Sequence, residues 1–153
     1  HENDVKALSS FGELLNRTFA DDLAKKAHFL ASNVRGNDNR RFGTAALTDG
    51  NRYTYWASDD NVTAPYVTLQ WEQPQTFNLI RIRENIKLAQ RIEALELEAL
   101  INGSWEKIAS ATSIGACRLI MLEKPVYTQM LRVRVTESPV AVAISEIGVF
   151  NRN

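Results

Sequence analysis

The sequence predicts an all-β protein, an antiparallel β-sandwich led by a short N-terminal helix, and three observations carry that expectation. From Ala27 onward, short β-type runs are separated by turn signals every ten or so residues, the layout of a sandwich. Within those runs apolar and polar residues alternate, most clearly in Leu131-Arg132-Val133-Arg134-Val135, where the apolar side chains share one face and both arginines the other. Asn102-Gly103 then joins the run Leu95 to Ile101 to the run Trp105 to Ala109, the chemistry of a tight hairpin whose two central residues take positive φ.

Taken in order, the elements begin with Phe11, Leu14, Leu15 and Phe19, which recur at helical spacing behind Ser10, with Glu13 placed to complete a capping box. This predicts a helix from Ser10 to about Ala20, so residues 1–26 read as a helical lead-in and 27–153 as the β domain. Ala27 to Ala31 is the first strand expected. Val67, Leu69 and Trp71 alternate with Tyr66, Thr68 and Gln70, and Ile80 and Ile82 alternate with Arg81 and Arg83. The stretch Leu88 to Glu98 is built of helix formers and places Leu88, Ile92, Leu95 and Ala99 on one helical face. A strand is expected there nonetheless, because Leu95, Leu97, Ala99 and Ile101 alternate and run into the hairpin with no helix stop. Trp56, Trp71 and Trp105 are expected in the core, and Cys117, sharing a face with Leu119 and Met121, is expected to point inward and be inert.

Bulk properties exclude several classes. At 153 residues the chain can bury one core without disulfides or structural zinc. Eighteen basic and eighteen acidic residues leave no net field for nucleic acid or an anionic bilayer. One cysteine precludes an internal disulfide, and two histidines argue against imidazole metal chemistry. No apolar run approaches the roughly twenty residues of a membrane helix. A start at His1, polar and without a signal core, reads as a fragment or processed product.

The sharpest local feature is the run Ala46 to Trp56. Asp49, Asn51 and Thr54 bring a carboxylate, an amide oxygen and a hydroxyl into one turn, and Gly50 permits the bend that would aim carbonyls at the same centre. Hard cations take such oxygen sets; a plain Asp-Gly turn uses the same residues, and local spacing leaves both readings open. Catalytic readings are weaker. Asp21-Asp22 and Asp59-Asp60 are sequence neighbours whose side chains diverge, and His28 has no nucleophile motif to serve.

The pattern Asp49-Gly50-Asn51-x-x-Thr54-x-Trp56, with the late Ser145-Glu146-Ile147, resembles the metal loop of discoidin, or coagulation-factor type-C, domains, which are galactose-binding-like jelly rolls. That resemblance implies Ca²⁺, or another hard cation such as Na⁺, held by side chains of Asp49, Asn51, Thr54 and Glu146 and by carbonyls of Ala46, Thr54 and Ser145. Phe11 to Phe19 with Asp22-Leu23-Ala24, Thr54 to Asp60, Arg83 to Ile86 with Gln90-Arg91, and Ser113 to Arg118 are similar to the C-terminal part of bacterial α-L-fucosidases. The resemblance implies a non-catalytic, ancillary domain of a secreted, periplasmic or extracellular glycoside hydrolase. Its partners would be its own catalytic domain and a glycan, fucosylated or galactosylated. A retaining fucosidase needs two carboxylates about 5 Å apart in a barrel pocket, and no barrel fits in this chain.

Sugar recognition needs an aromatic face and groups that hydrogen-bond hydroxyls. Tyr55, Asp59 and Asp60 in one connection, with Glu84, Arg91 and Arg118 in two others, are the expected carbohydrate-binding residues. Arg91 and Arg118 could instead pair with Glu84 or with the catalytic domain, in a domain that only braces its barrel.

Overall fold

The computed structural model describes residues 19–152. The helix expected from Ser10 lies, save for its last two positions, outside the described residues. Seven strands follow: β1 (His28–Ala31), β2 (Trp56–Ala57), β3 (Tyr66–Glu84), β4 (Ala94–Ile101), β5 (Ser104–Thr112), β6 (Arg118–Glu137) and β7 (Ala143–Phe150). Every pairing is antiparallel.

The two long strands build the sandwich by passing through both layers. The first half of β3 pairs with β1 and with the second half of β6, which in turn pairs with β4, so one layer runs β1-β3-β6-β4-β5. Register shifts between Gln70 and Gln75 and between Phe77 and Leu79 turn β3 out of that layer. Its second half pairs with β7 and with the first half of β6, giving a second layer β6-β3-β7-β2. The alternating residues meet between the layers: Val67, Leu69, Trp71, Ile80, Ile82, Leu131, Val133, Val135, Ile147 and Val149 are all buried in one core. Leu23 and Ala24, on a 3₁₀ turn (Leu23–Lys26), join the same core, and the Trp71 indole N–H donates to the Leu23 carbonyl at 2.8 Å. An indole N–H buried without a partner would cost free energy, so this bond fixes where the entering chain lies.

The contested stretch resolves into both halves of its pattern. Ile86–Leu88 is a single 3₁₀ turn and Ala94–Ile101 is strand, with Leu95, Leu97 and Ala99 buried. Packing across two partners outweighs helix propensity here. Asn102 and Gly103 take positive φ of 51° and 81°, as the hairpin requires.

Two packing expectations are corrected. Cys117 is exposed, and Leu119 and Met121 are each 50 % exposed, because Ile120 and Leu122 take the inward positions at the start of β6. Trp56 and Trp71 are buried as expected, but Trp105 is only half-buried, on the outer face of the first layer. There the Arg132 guanidinium lies 4.1 Å from its ring centroid and 5.3 Å from that of Tyr66, with Arg134 at 4.9 Å from Tyr66. Both arginine Nε groups donate to Glu98, at 3.0 and 2.9 Å. The arginine face is thus a layer of stacked cations and rings over one carboxylate.

Candidate functional site

Four connections meet at one end of the sandwich: those after β1, β2 and β3 and the one before β7. The first two are locked together by Asn33, whose side chain accepts from the Asp59 amide at 2.7 Å and donates to the Asp59 carboxylate at 3.1 Å. Asp59 also accepts from the Gly36 amide at 2.7 Å, and this bond, with Asn33, holds its pKa below the usual carboxylate value. Ser58 ties in the last connection: its hydroxyl donates to the Val62 carbonyl and accepts from the Val142 amide. The third is tied down by Glu84, a buried carboxylate that accepts from the amides of Arg91, Ile92 and Gly115, each at 2.8 Å. Arg91 spans the gap, donating to the carbonyls of Leu88 and Ala141.

Together these connections enclose a cavity of about 190 Å³. Arg35, Asp60, Tyr55 and Arg91 supply its polar side, and Ala57, Leu88 and the strip Ala141 to Ala143 supply an apolar wall. Arg35 Nη1 meets Asp60 Oδ1 at 2.5 Å. That contact pushes the Asp60 carboxyl down and the Arg35 guanidinium up, so both stay charged across the physiological range. The Tyr55 ring is backed by Phe42, on a one-turn helix α1 (Asn39–Phe42), with centroids 5.7 Å apart.

Of the six expected carbohydrate-binding residues, the structure brings Tyr55, Asp60 and Arg91 to this cavity. Asp59 and Glu84 are spent on backbone amides that shape it. Arg118 opens β6 opposite Ile82, exposed and away from the lining. Arg35 and the Ala141 to Ala143 wall escaped sequence reasoning. The Arg35-Gly36-Asn37 turn, with Gly36 and Asn37 both at positive φ, was the available signal.

The Asp49 loop follows a 3₁₀ turn (Thr44–Thr48). Its donors satisfy one another: Thr54 Oγ1 donates to Asp49 Oδ2 at 2.5 Å, and Asp49 Oδ1 and Asn51 Oδ1 accept from the amides of Asn51 and Tyr53. Glu146 faces the flanks of this loop, lining a cavity of about 140 Å³ with Thr48, Gly50, Arg81, Asp22, Lys25, Leu47 and Phe19. Its carboxylate is engaged by guanidinium groups. Arg81 donates from Nε at 2.8 Å and from Nη2, and Arg83 Nε lies 3.3 Å from the other oxygen, near enough for attraction though not aligned as a hydrogen bond. Among the described residues no three His, Cys, Asp or Glu side chains gather as a metal cluster. As arranged, the side-chain oxygens of Asp49, Asn51 and Thr54 turn to donors within the loop and the Glu146 carboxylate turns to two guanidinium groups, so these four side chains do not converge on one centre as a hard divalent ion requires.

The protein is thus a two-layer antiparallel β-sandwich whose connecting loops gather at one end around a small lined cavity. A family model of the F5/8 type C domain matches residues 30–147, and the chain belongs to that family. It is 32 % identical over 151 residues to alpha-L-fucosidase 1 of Arabidopsis thaliana, covering 97 % of this chain and 30 % of that protein. A Ruminococcus gnavus GH29 fucosidase solved in complex with fucose is 26 % identical, with a TM-score of 0.88, over 97 % of this chain and 30 % of its own. The chain thus spans about a third of the fucosidases it matches. Chitosan-binding module 1 of a Paenibacillus sp. IK-5 chitosanase/glucanase shares the fold, with a TM-score of 0.72 at 19 % identity over 86 % of this chain and 99 % of its own.

Proposed function

We propose that this chain is the carbohydrate-binding ancillary domain of an α-L-fucosidase, holding a terminal sugar in the cavity between Arg35, Tyr55, Asp60 and Arg91. The observation that carries this reading is the division of that cavity into a charged side and an apolar wall. Asp60 can accept from sugar hydroxyls while Arg35 and Arg91 donate to them, and bonds to ionised groups are the strong ones. Tyr55, fixed against Phe42, offers a ring for the apolar face of a pyranose. The wall of Ala57, Leu88 and Ala141 to Ala143 suits a carbon without a hydroxyl, as in a 6-deoxy sugar such as fucose. The cavity's 190 Å³ is below the ~300 Å³ at which pockets for drug-sized ligands begin, so one terminal residue enters rather than an oligosaccharide.

Calorimetry with fucose- and galactose-terminated oligosaccharides tests this. Millimolar or tighter binding is expected for the chain, with fucose preferred, and a loss of at least tenfold for Tyr55→Ala. Absence of binding at millimolar sugar would favour a second reading, a domain that braces its own catalytic domain. That reading draws on the outward side chains of Leu119, Met121 and Tyr127 along β6, the last 69 % exposed. In that case co-expression with the separate catalytic domain should give a stable complex.

A further inference from the structure

We infer that the junction of β3 with the last strand, beside the Asp49 loop, is held without metal, with the Arg81 guanidinium as its cation. The strand register prepares this place. Arg81 is the ladder partner of Gly148, so no side chain opposes it, and Glu146 and Phe150 flank that gap on the same face. The guanidinium donates to Glu146 through Nε and Nη2, and its carbon lies 5.0 Å from the Phe19 ring centroid and 4.9 Å from that of Phe150. Those two rings pack edge to face, 4.9 Å apart, which leaves the cation pinned between a carboxylate and two aromatic surfaces. Arg81 is 18 % exposed and Glu146 22 %, so the pair is well screened from water.

Charge balance points the same way. Asp22 and Glu146 line the cavity, and Lys25 and Arg81 line it too. The set is neutral without an ion. A divalent cation would leave two positive charges uncompensated and would have to displace a guanidinium that is already hydrogen-bonded and stacked. This inference does not depend on whether the loop-end cavity binds sugar.

The test needs only the chain as it stands. Elemental analysis after purification without chelator should find well under one calcium per chain, and the melting temperature should be the same in millimolar calcium and in EDTA. Arg81→Met should lower it by several degrees in both conditions, and Arg81→Lys, which keeps the charge but loses the fork, should fall between. Stoichiometric calcium that survives gel filtration, or a calcium-dependent rise of several degrees in the unsubstituted chain, would overturn the inference even if Arg81→Met failed to fold.

Discussion

Arg81 faces Gly148 across the β3–β7 ladder, and the missing side chain at Gly148 is what lets an arginine and a phenylalanine ring occupy the outer surface of a strand. A Cβ at Gly148 would lie 2.8 and 2.9 Å from two carbons of the Phe150 ring, which is fully buried. Gly148→Ala should therefore destabilise the fold by about 1–3 kcal/mol, the usual cost of overpacking. Urea unfolding checks this, and an unchanged midpoint would mean that the ring can move aside freely.

One carboxylate oxygen adds a hydrogen-bonded tie between the entering chain and β7, beside the Phe19–Phe150 contact. Asp22 Oδ1 accepts from the amides of Ala24 and Val149, both at 3.0 Å. Asp22→Ala leaves both donors unpaired and should cost about 1–3 kcal/mol, whereas Asp22→Asn keeps the acceptor and should cost less. Burial raises the Asp22 pKa above its ordinary value. A raised carboxylate contributes stability below its unfolded pKa that is lost as pH rises through the folded value. The stability of the unsubstituted chain relative to Asp22→Asn should therefore improve as pH falls through the range above 3.8; chemical denaturation at several pH values decides it.

Glu98 carries the opposite sign. Its hydrogen bond from Arg132, reinforced by Arg134, lowers its pKa below 4.5. Stability from this carboxylate is present above pH 4.5 and is lost as pH falls through the lowered value. Glu98→Gln should thus be less stable than the unsubstituted chain at neutral pH, and the gap should close in acid. A gap independent of pH would show that packing, not charge, holds the arginine face.

Most of the fold was legible in the sequence because its strands are half-buried. Alternation in Val67 to Trp71, Ile80 to Ile82 and Leu131 to Val135 reports directly which face is inside, and all of those apolar residues are buried. Where both faces carry apolar groups the signal fails: Cys117, Leu119 and Met121 alternate as convincingly as Ile120 and Leu122, and only the neighbouring strands decide which set turns in. Trp105 departs from its expected core position because a cation can cover a ring as well as a core can. The candidate site was half legible. Tyr55 and Asp60 stand beside the recognisable loop, whereas Arg35 meets Asp60 only because Asn33 and Asp59 lock two distant turns together.

Asp60 gives the loop end its own pH signature. The hydrogen bond from Arg35 holds its carboxyl below the ordinary value. Any binding that uses the ionised carboxylate should persist through mildly acidic solution and fail only as pH drops below 3.8, the ordinary value. Arg35→Met should move the titration back up to the ordinary range, as followed by carboxyl carbon shifts in NMR. An Asp60 titration indifferent to Arg35→Met would remove the pair from the site.

The reading of this chain as a sugar-recognition domain is tested most directly by titrating the isotope-labelled chain with a fucose-terminated oligosaccharide and following its backbone amides by NMR. Saturable shifts are expected only at the loop end, at Arg35, Tyr55, Asp60, Arg91 and Val142, with Tyr66, Trp105 and Arg81 unmoved. Shifts centred on the Trp105–Arg132 face, or none at millimolar sugar, would contradict it.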